Sequence, residues 1–178
     1  MPNMDRKQLA EQIAETAVLR GSFTLRSGRT SSYYIDKYLF LTDPVILAEL
    51  GAMIAARLPA GTERLAGAEL GGIPLVSAAS MAAGLPAVYV RNARKEYGTR
   101  KQLEGRVEPD EKVVIVEDVA TTGGQAIEAA EVIIAQGGDV VAIIATVDRQ
   151  EGARESIESA GYRFDALFTT SDLGIDSE

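Results

Sequence analysis

The residues best placed to do chemistry lie in one run: Val113-Val114-Ile115-Val116-Glu117-Asp118-Val119-Ala120-Thr121-Thr122-Gly123-Gly124-Gln125-Ala126. Its four leading apolar residues predict a buried strand. The carboxylates of Glu117 and Asp118 are expected at the strand's C-terminal end, where parallel sheets bind ligands. The hydroxyls of Thr121 and Thr122 and the glycines at 123 and 124 then lead into a helix. Such a turn aims several backbone N–H groups at one point, at the positive end of a helix dipole. The threonines add donors, and the glycines let the backbone approach an anion closely. The result is a phosphate cradle beside two carboxylates, which accept hydrogen bonds well from sugar hydroxyls. It suits a phosphate with vicinal hydroxyls nearby, such as a ribose 5-phosphate. A plainer reading makes Glu117-Asp118 only a helix cap; apolar run, acid pair, threonines and glycines together favour the cradle. Neither GxxxxGK[ST] nor GxGxxG occurs, so the two commoner phosphate loops are excluded.

A second group is basic. Arg91, Arg94, Lys95, Arg100, Lys101 and Arg106 crowd one interval, six of the chain's eighteen Lys and Arg residues, against the acids Glu96 and Glu104. That interval is net +4 in a chain of net charge −8. It reads equally as an anion-binding loop or as a solvated one. Histidine and cysteine are both absent. That excludes Ser-His-Asp triads, HExxH zinc sites, thiolate nucleophiles, disulfides and Fe–S clusters. The acidic balance argues against non-specific nucleic-acid binding.

These groups need a scaffold, and 178 residues with 46% hydrophobic content suit one domain with a real core. Arg64 to Ala68, Pro86 to Arg91, Val113 to Val116, Asp139 to Val147 and Phe164 to Thr169 read as five strands. Helices are expected at Pro74 to Ala83, Gly124 to Ala135 and Gly152 to Ala160. Strands rich in Val and Ile that alternate with helices predict a parallel sheet buried on both faces. Residues 61–170 therefore form an α/β core. Residues 1–60 break the pattern. They predict a helix from Asp5 to Leu19, two short strands between Ser22 and Leu41, and a helix capped by Asp43-Pro44, together a small hood. The stretch 92–111 lacks apolar periodicity and reads as a mobile loop. No apolar run is long enough to span a bilayer and no signal peptide is apparent, so a cytoplasmic protein is the expectation.

The run from Val113 to Ala126 resembles the phosphoribosyl diphosphate (PRPP) motif of type I phosphoribosyltransferases. Three further segments narrow the resemblance to the orotate-specific family: Phe23-Thr24-Leu25-Arg26-Ser27-Gly28-Arg29 with Tyr33-Tyr34-Ile35-Asp36, then Arg91 to Gly98, then Asp148-Arg149-Gln150-Glu151. The resemblance implies a type I fold with a mostly parallel sheet of about five strands and an N-terminal hood. It implies Mg²⁺-dependent transfer of phosphoribosyl from PRPP to orotate, giving orotidine 5′-monophosphate and diphosphate in pyrimidine biosynthesis. It places Glu117 and Asp118 on the ribose hydroxyls and Val119, Ala120, Thr121, Thr122, Gly123, Gly124 and Gln125 around the 5-phosphate. Arg91, Lys95 and Tyr97 fall to the diphosphate, and Thr121, Arg149 and Arg26 to orotate. Lys95, Arg91 and Asp118 take the catalytic roles, with Mg²⁺ held mainly through substrate. A homodimer with the loop acting in trans is implied as well. Departures from the commoner family pattern fall at Asn92 and Gly71, where lysine is frequent, at Tyr97, where histidine is frequent, and at Arg26, another lysine position. The alternatives on the same fold are a PRPP-binding regulator and a purine phosphoribosyltransferase.

Overall fold

The protein is described here by a computed structural model covering residues 4–24, 28, 30–92 and 102–175. Arg26, Arg94, Lys95 and Tyr97 lie outside the described residues. The chain opens with α1 (Arg6–Ala17), started by a capping box in which Asp5 and Gln8 satisfy each other's backbone. It passes directly into the antiparallel pair β1 (Val18–Thr24) and β2 (Thr30–Ile35). A short helix that the sequence did not suggest follows, α2 (Lys37–Leu41), capped by Asp36 and anchored by buried Phe40 and Leu41. Helix α3 (Pro44–Ala56) starts as expected, with the Asp43 carboxylate accepting from Val45 and Ile46 and proline at its first turn.

The core contains β3 (Arg64–Ala68), α4 (Gly72–Ala83), β4 (Ala87–Val90), β5 (Leu103–Glu104), β6 (Lys112–Ala120), α5 (Gly124–Ala135), β7 (Asp139–Asp148), α6 (Ala153–Ser159) and β8 (Phe164–Thr169). A single 3-10 turn, Ser171–Leu173, follows. The sheet has six strands rather than about five, in the order β5-β4-β3-β6-β7-β8. Five are parallel, and the two-residue β5 lies antiparallel on the edge of β4. That edge strand falls in the stretch read as a mobile loop. Leu103 and Val107 are buried, so 102–111 is packed chain.

Side chains alternate across each strand, so the sheet carries a separate core on each face. Val114 and Val116 pack with α1, α3 and α4, while Val113 and Ile115 pack with α5 and α6. The chain runs outward from β3 to β4, then returns to the other side of β3 to lay down β6, β7 and β8. The reversal lies between β3 and β6, and open α/β sheets bind ligands at the carboxyl ends of such a pair. No helix among the described residues is long and apolar enough to cross a membrane.

Candidate active site

Strand β6 does not stop at Val116. It runs through Ala120, held by β7 in a register that pairs Glu117 with Ala145 and Ala120 with Asp148. The acid pair therefore sits within the strand, its two carboxyl groups close enough to interact through charge and a hydrogen bond. Glu117 lies on the α5 face and lines the cradle, whereas Asp118 lies on the α4 face against the turn after β3. Both are almost fully buried.

The cradle is a concavity of about 140 Å³ lined by Glu117 and residues 119–126. Gly123 sits at φ 81°, the left-handed conformation that lets the chain turn from strand to helix, and no side chain caps the amides of α5. A Cβ at Gly123 would press to 2.9 Å on Ile157 of α6. The α5 N-terminus thus keeps its backbone donors turned toward the concavity. Thr121, Thr122, Gly123, Gly124 and Gln125 all line it.

Across the reversal, Gly71 and Gly72 follow β3, and the Glu69–Leu70 peptide is cis. Gly71 has an ordinary helical φ of −71°, so its backbone does not demand glycine. Space does: a Cβ there would overlap Asp118 Oδ2 and lie 2.7 Å from Cγ. The same Asp118 Oδ2 takes an ion pair from Lys37 Nζ at 2.7 Å. Burial pulls the Lys37 ammonium down, but the Asp118 carboxylate, through charge and hydrogen bond and with help from Tyr38 and Glu117, leaves it raised. Glu117 accepts from the Asp118 amide at 3.1 Å through Oε1, while its buried Oε2 has no partner among the described residues. Burial first, and the Asp118 charge second, push the Glu117 carboxyl up to about 8.

The ends of β3 and β4 are tied to the first turn of α5 beside the cradle. Gln125 Nε2 donates to Glu69 O at 3.2 Å and to Asn92 Oδ1 at 3.3 Å, and the Asn92 amide donates to Glu69 Oε1 at 2.7 Å. Arg91 is the residue before that tie. Its backbone N–H donates to Gln102 O, and its buried Nε has no partner among the described residues.

On the other side, the Arg149 amide donates to Ala120 O at 2.9 Å, which sets Arg149 directly beside the cradle. Its Nη2 reaches Glu151 at 2.8 Å and donates to the Tyr33 hydroxyl at 3.1 Å, with the guanidinium over the Tyr33 ring. Its Nε is buried without a partner among the described residues. A guanidinium edge held this way offers a fixed donor to a planar anion.

The described site thus assembles Glu117, Asp118, the cradle residues and Arg149, while Arg91 stands at the end of β4 beside the Glu69–Asn92–Gln125 tie. Sequence reasoning missed two contributors from the hood, Lys37 and Tyr33. A signal existed for both: Tyr33 lies inside the Tyr-Tyr-Ile-Asp block, and Lys37 follows it directly.

Residues 60–164 match the phosphoribosyl transferase domain family. The orotate phosphoribosyltransferase of Methanocella arvoryzae is 47% identical over 167 residues, covering 93% of this chain and 95% of that protein. The enzyme of the same name from Haloquadratum walsbyi is 48% identical over 162 residues, covering 91% and 88%. Among solved structures, the orotate phosphoribosyltransferase of Mycobacterium tuberculosis in complex with 5-phospho-alpha-D-ribosyl 1-diphosphate superposes with a TM-score of 0.80 at 33% identity, covering 97% of this chain and all of that one. With the cradle, the buried acid pair and the strand reversal in place, the chain belongs to the orotate phosphoribosyltransferase family.

Proposed function

We propose that the protein transfers phosphoribosyl from PRPP to orotate, releasing diphosphate, as a step of pyrimidine biosynthesis. The observation that carries this reading is the buried Glu117–Asp118 pair at the strand reversal, with the α5 cradle on one side and Arg149 on the other. The cradle binds the 5-phosphate through backbone amides and the hydroxyls of Thr121 and Thr122. The acid pair accepts the ribose hydroxyls. Arg149, braced by Tyr33 and Glu151, pairs with the anionic edge of orotate, and Thr121 and Arg26 complete that subsite.

In the reaction, the bond from C1 of the ribose to the diphosphate oxygen breaks through an oxocarbenium-like state, and C1 bonds to a ring nitrogen of orotate as that nitrogen gives up its proton. The protein contributes placement of two substrates and charge neutralisation on the leaving group. Arg91, Lys95 and Tyr97 serve the diphosphate, and Lys95 takes the role of protonating it. These loop residues act across a homodimer, in the active site of the neighbouring subunit.

The donor set fits Mg²⁺ shared with substrate. Glu117 presents an unpartnered buried oxygen and Asp118 a second carboxylate, while no cluster of three or more acidic ligands gathers among the described residues. The ion would be held by these carboxylates together with the substrate's oxygens, and would supply charge neutralisation at the diphosphate. We read residues 1–178 as one domain, hood and core together, working in the cytoplasm.

The test is turnover. Protein, PRPP and Mg²⁺ are mixed with orotate, and orotate loss is followed by ultraviolet absorbance, with adenine and hypoxanthine in parallel. Orotate alone should be consumed. Consumption of a purine instead would move the protein to another branch of the fold, and no turnover with any base would leave it a binding protein.

A further inference from the structure

The turn after β3 carries no cation. Leu70 is exposed and apolar, and the volume a side chain at 71 would need is filled by Asp118. Yet an anionic sugar diphosphate must approach two buried carboxylates at this spot. Unscreened, that approach is unfavourable.

The hood supplies the missing charge. Lys37 Nζ stands 2.7 Å from Asp118 Oδ2, the same oxygen that closes off the Gly71 side-chain volume. The ammonium is therefore delivered to the turn from the opposite direction. Its base is well anchored. The Asp36 amide donates to Ala17 O at 2.9 Å, its carboxylate accepts from the Tyr38 amide, and Phe40 and Leu41 bury the far end of the helix. The Lys37 side chain remains 31% exposed, so the head is not sealed away from a ligand. An ammonium has three donors, and the Asp118 contact uses one.

Stereochemistry points the same way. If the acid pair accepts the ribose 2- and 3-hydroxyls, an α-linked diphosphate on C1 lies on the same face of the ring as those hydroxyls. It therefore lies on the face of the sugar turned to the acid pair, and Lys37 is the cation that stands there, on Asp118. We propose that Lys37 binds the diphosphate of the sugar 1-diphosphate substrate, taking the place of a cation that the Leu70-Gly71-Gly72 turn does not offer. This assignment rests on the phosphoribosyl-transfer reading above.

The test uses Lys37→Met and Lys37→Arg in the full chain, with isothermal titration calorimetry in Mg²⁺ against PRPP, inorganic diphosphate and ribose 5-phosphate. A charge-assisted contact of this kind predicts that Lys37→Met weakens PRPP and diphosphate binding by about 10- to 100-fold. Ribose 5-phosphate, which lacks the diphosphate, should bind as in the wild type. Lys37→Arg should recover most of the loss, and in turnover the KM for PRPP should rise with the KM for orotate unchanged. Equal weakening of ribose 5-phosphate and PRPP would overturn the assignment, because Lys37 would then act only by orienting Asp118. Unchanged diphosphate binding would overturn it as well. Should Lys37→Met not fold, wild-type protein is acetylated with and without diphosphate and read by mass spectrometry. Shielding of Lys37 by diphosphate supports the contact, and full reactivity refutes it. Failure of the enzymatic reading looks different: wild-type protein then turns over no base, whatever Lys37 does to diphosphate binding.

Discussion

Replacing Glu117 with glutamine isolates one buried proton. Glu117 is 4% exposed, its Oε2 has no partner among the described residues, and burial beside Asp118 raises its carboxyl to about 8 against an ordinary 4.5. A raised folded-state value means that the folded protein holds a proton the unfolded chain has already released. The associated stability is complete below pH 4.5, declines as pH rises, and is gone once pH passes about 8. The slope for one proton is about 1.4 kcal/mol per pH unit. Between pH 6 and pH 8 the protein should therefore lose up to about 3 kcal/mol, or roughly 6–12 °C in Tm for a domain of this size.

Glutamine keeps the shape and an oxygen that can accept from the Asp118 amide, but it does not titrate in this range. Differential scanning calorimetry of both proteins without ligand, in steps from pH 6 to pH 8, gives the answer as a difference. The Tm of Glu117→Gln minus that of the wild type should grow steadily with pH, because every other titrating group is common to the two. Parallel curves would refute the reasoning, since Glu117 would then be ionised throughout and some unseen stabilisation of its charge would have to exist.

Gly71→Ala should cut activity by at least about tenfold while barely moving helix propensity, because the new methyl displaces Asp118 rather than straining the backbone; steady-state kinetics beside Tm separate the two effects. Gly123→Ala should instead lower stability by about 2 kcal/mol or more, since it adds a left-handed alanine and a contact on Ile157, and chemical denaturation reads this directly. Arg149→Lys should raise the KM for orotate about tenfold and leave that for PRPP unchanged, because an ammonium cannot reproduce the braced guanidinium edge; equal shifts in both would count against the assignment. Asp172, held down at about 2 first by its hydrogen bonds from Arg6, gives stability that is full above pH 4 and lost as pH falls toward 2. With Arg6 nearly half exposed, Asp172→Asn should remove only about 1 kcal/mol of that acid dependence in acid titrations of Tm.

The strands were legible because Val and Ile runs buried on both faces leave few other options, and the Asp43-Pro44 cap marked the start of α3. What could not be read was set by partners far along the chain. Strand β5 is two residues long and exists only because Tyr89 and Val90 offer it a ladder. Helix α2 has five residues, and its apolar side chains are divided between exposed Tyr38 and Leu39 and buried Phe40 and Leu41, so no apolar periodicity marks it and only its Asp36 cap hints at it. Strand β6 outruns its apolar run because β7 extends far enough to pair with Ala120. That continuation decides the geometry of the acid pair, and nothing in Glu117-Asp118 as a dipeptide states it. Arg149 and the cradle were legible as motifs. Lys37 carried only its place beside the Tyr-Tyr-Ile-Asp block, because its role depends on the oxygen it meets across the site.

Net charge shows why the hood matters to the chemistry. At −8, the chain as a whole repels the two anions it would have to hold, and its deepest carboxylates lie where they would bind. Asp118 bears on the Glu117 carboxyl through charge and a hydrogen bond, and the Lys37 charge reaches both acids, Asp118 by direct contact. Glu117 is relieved by holding a proton beside the amides of α5, and Asp118 by an ammonium brought in on α2. The proton can leave and the ammonium can be shared with a ligand, so neither remedy commits the site permanently. Removing the hood would thus cost more than a cover over the sheet: Asp118 would be left buried and unpaired, and Arg149 would lose the Tyr33 ring and hydroxyl that hold its plane.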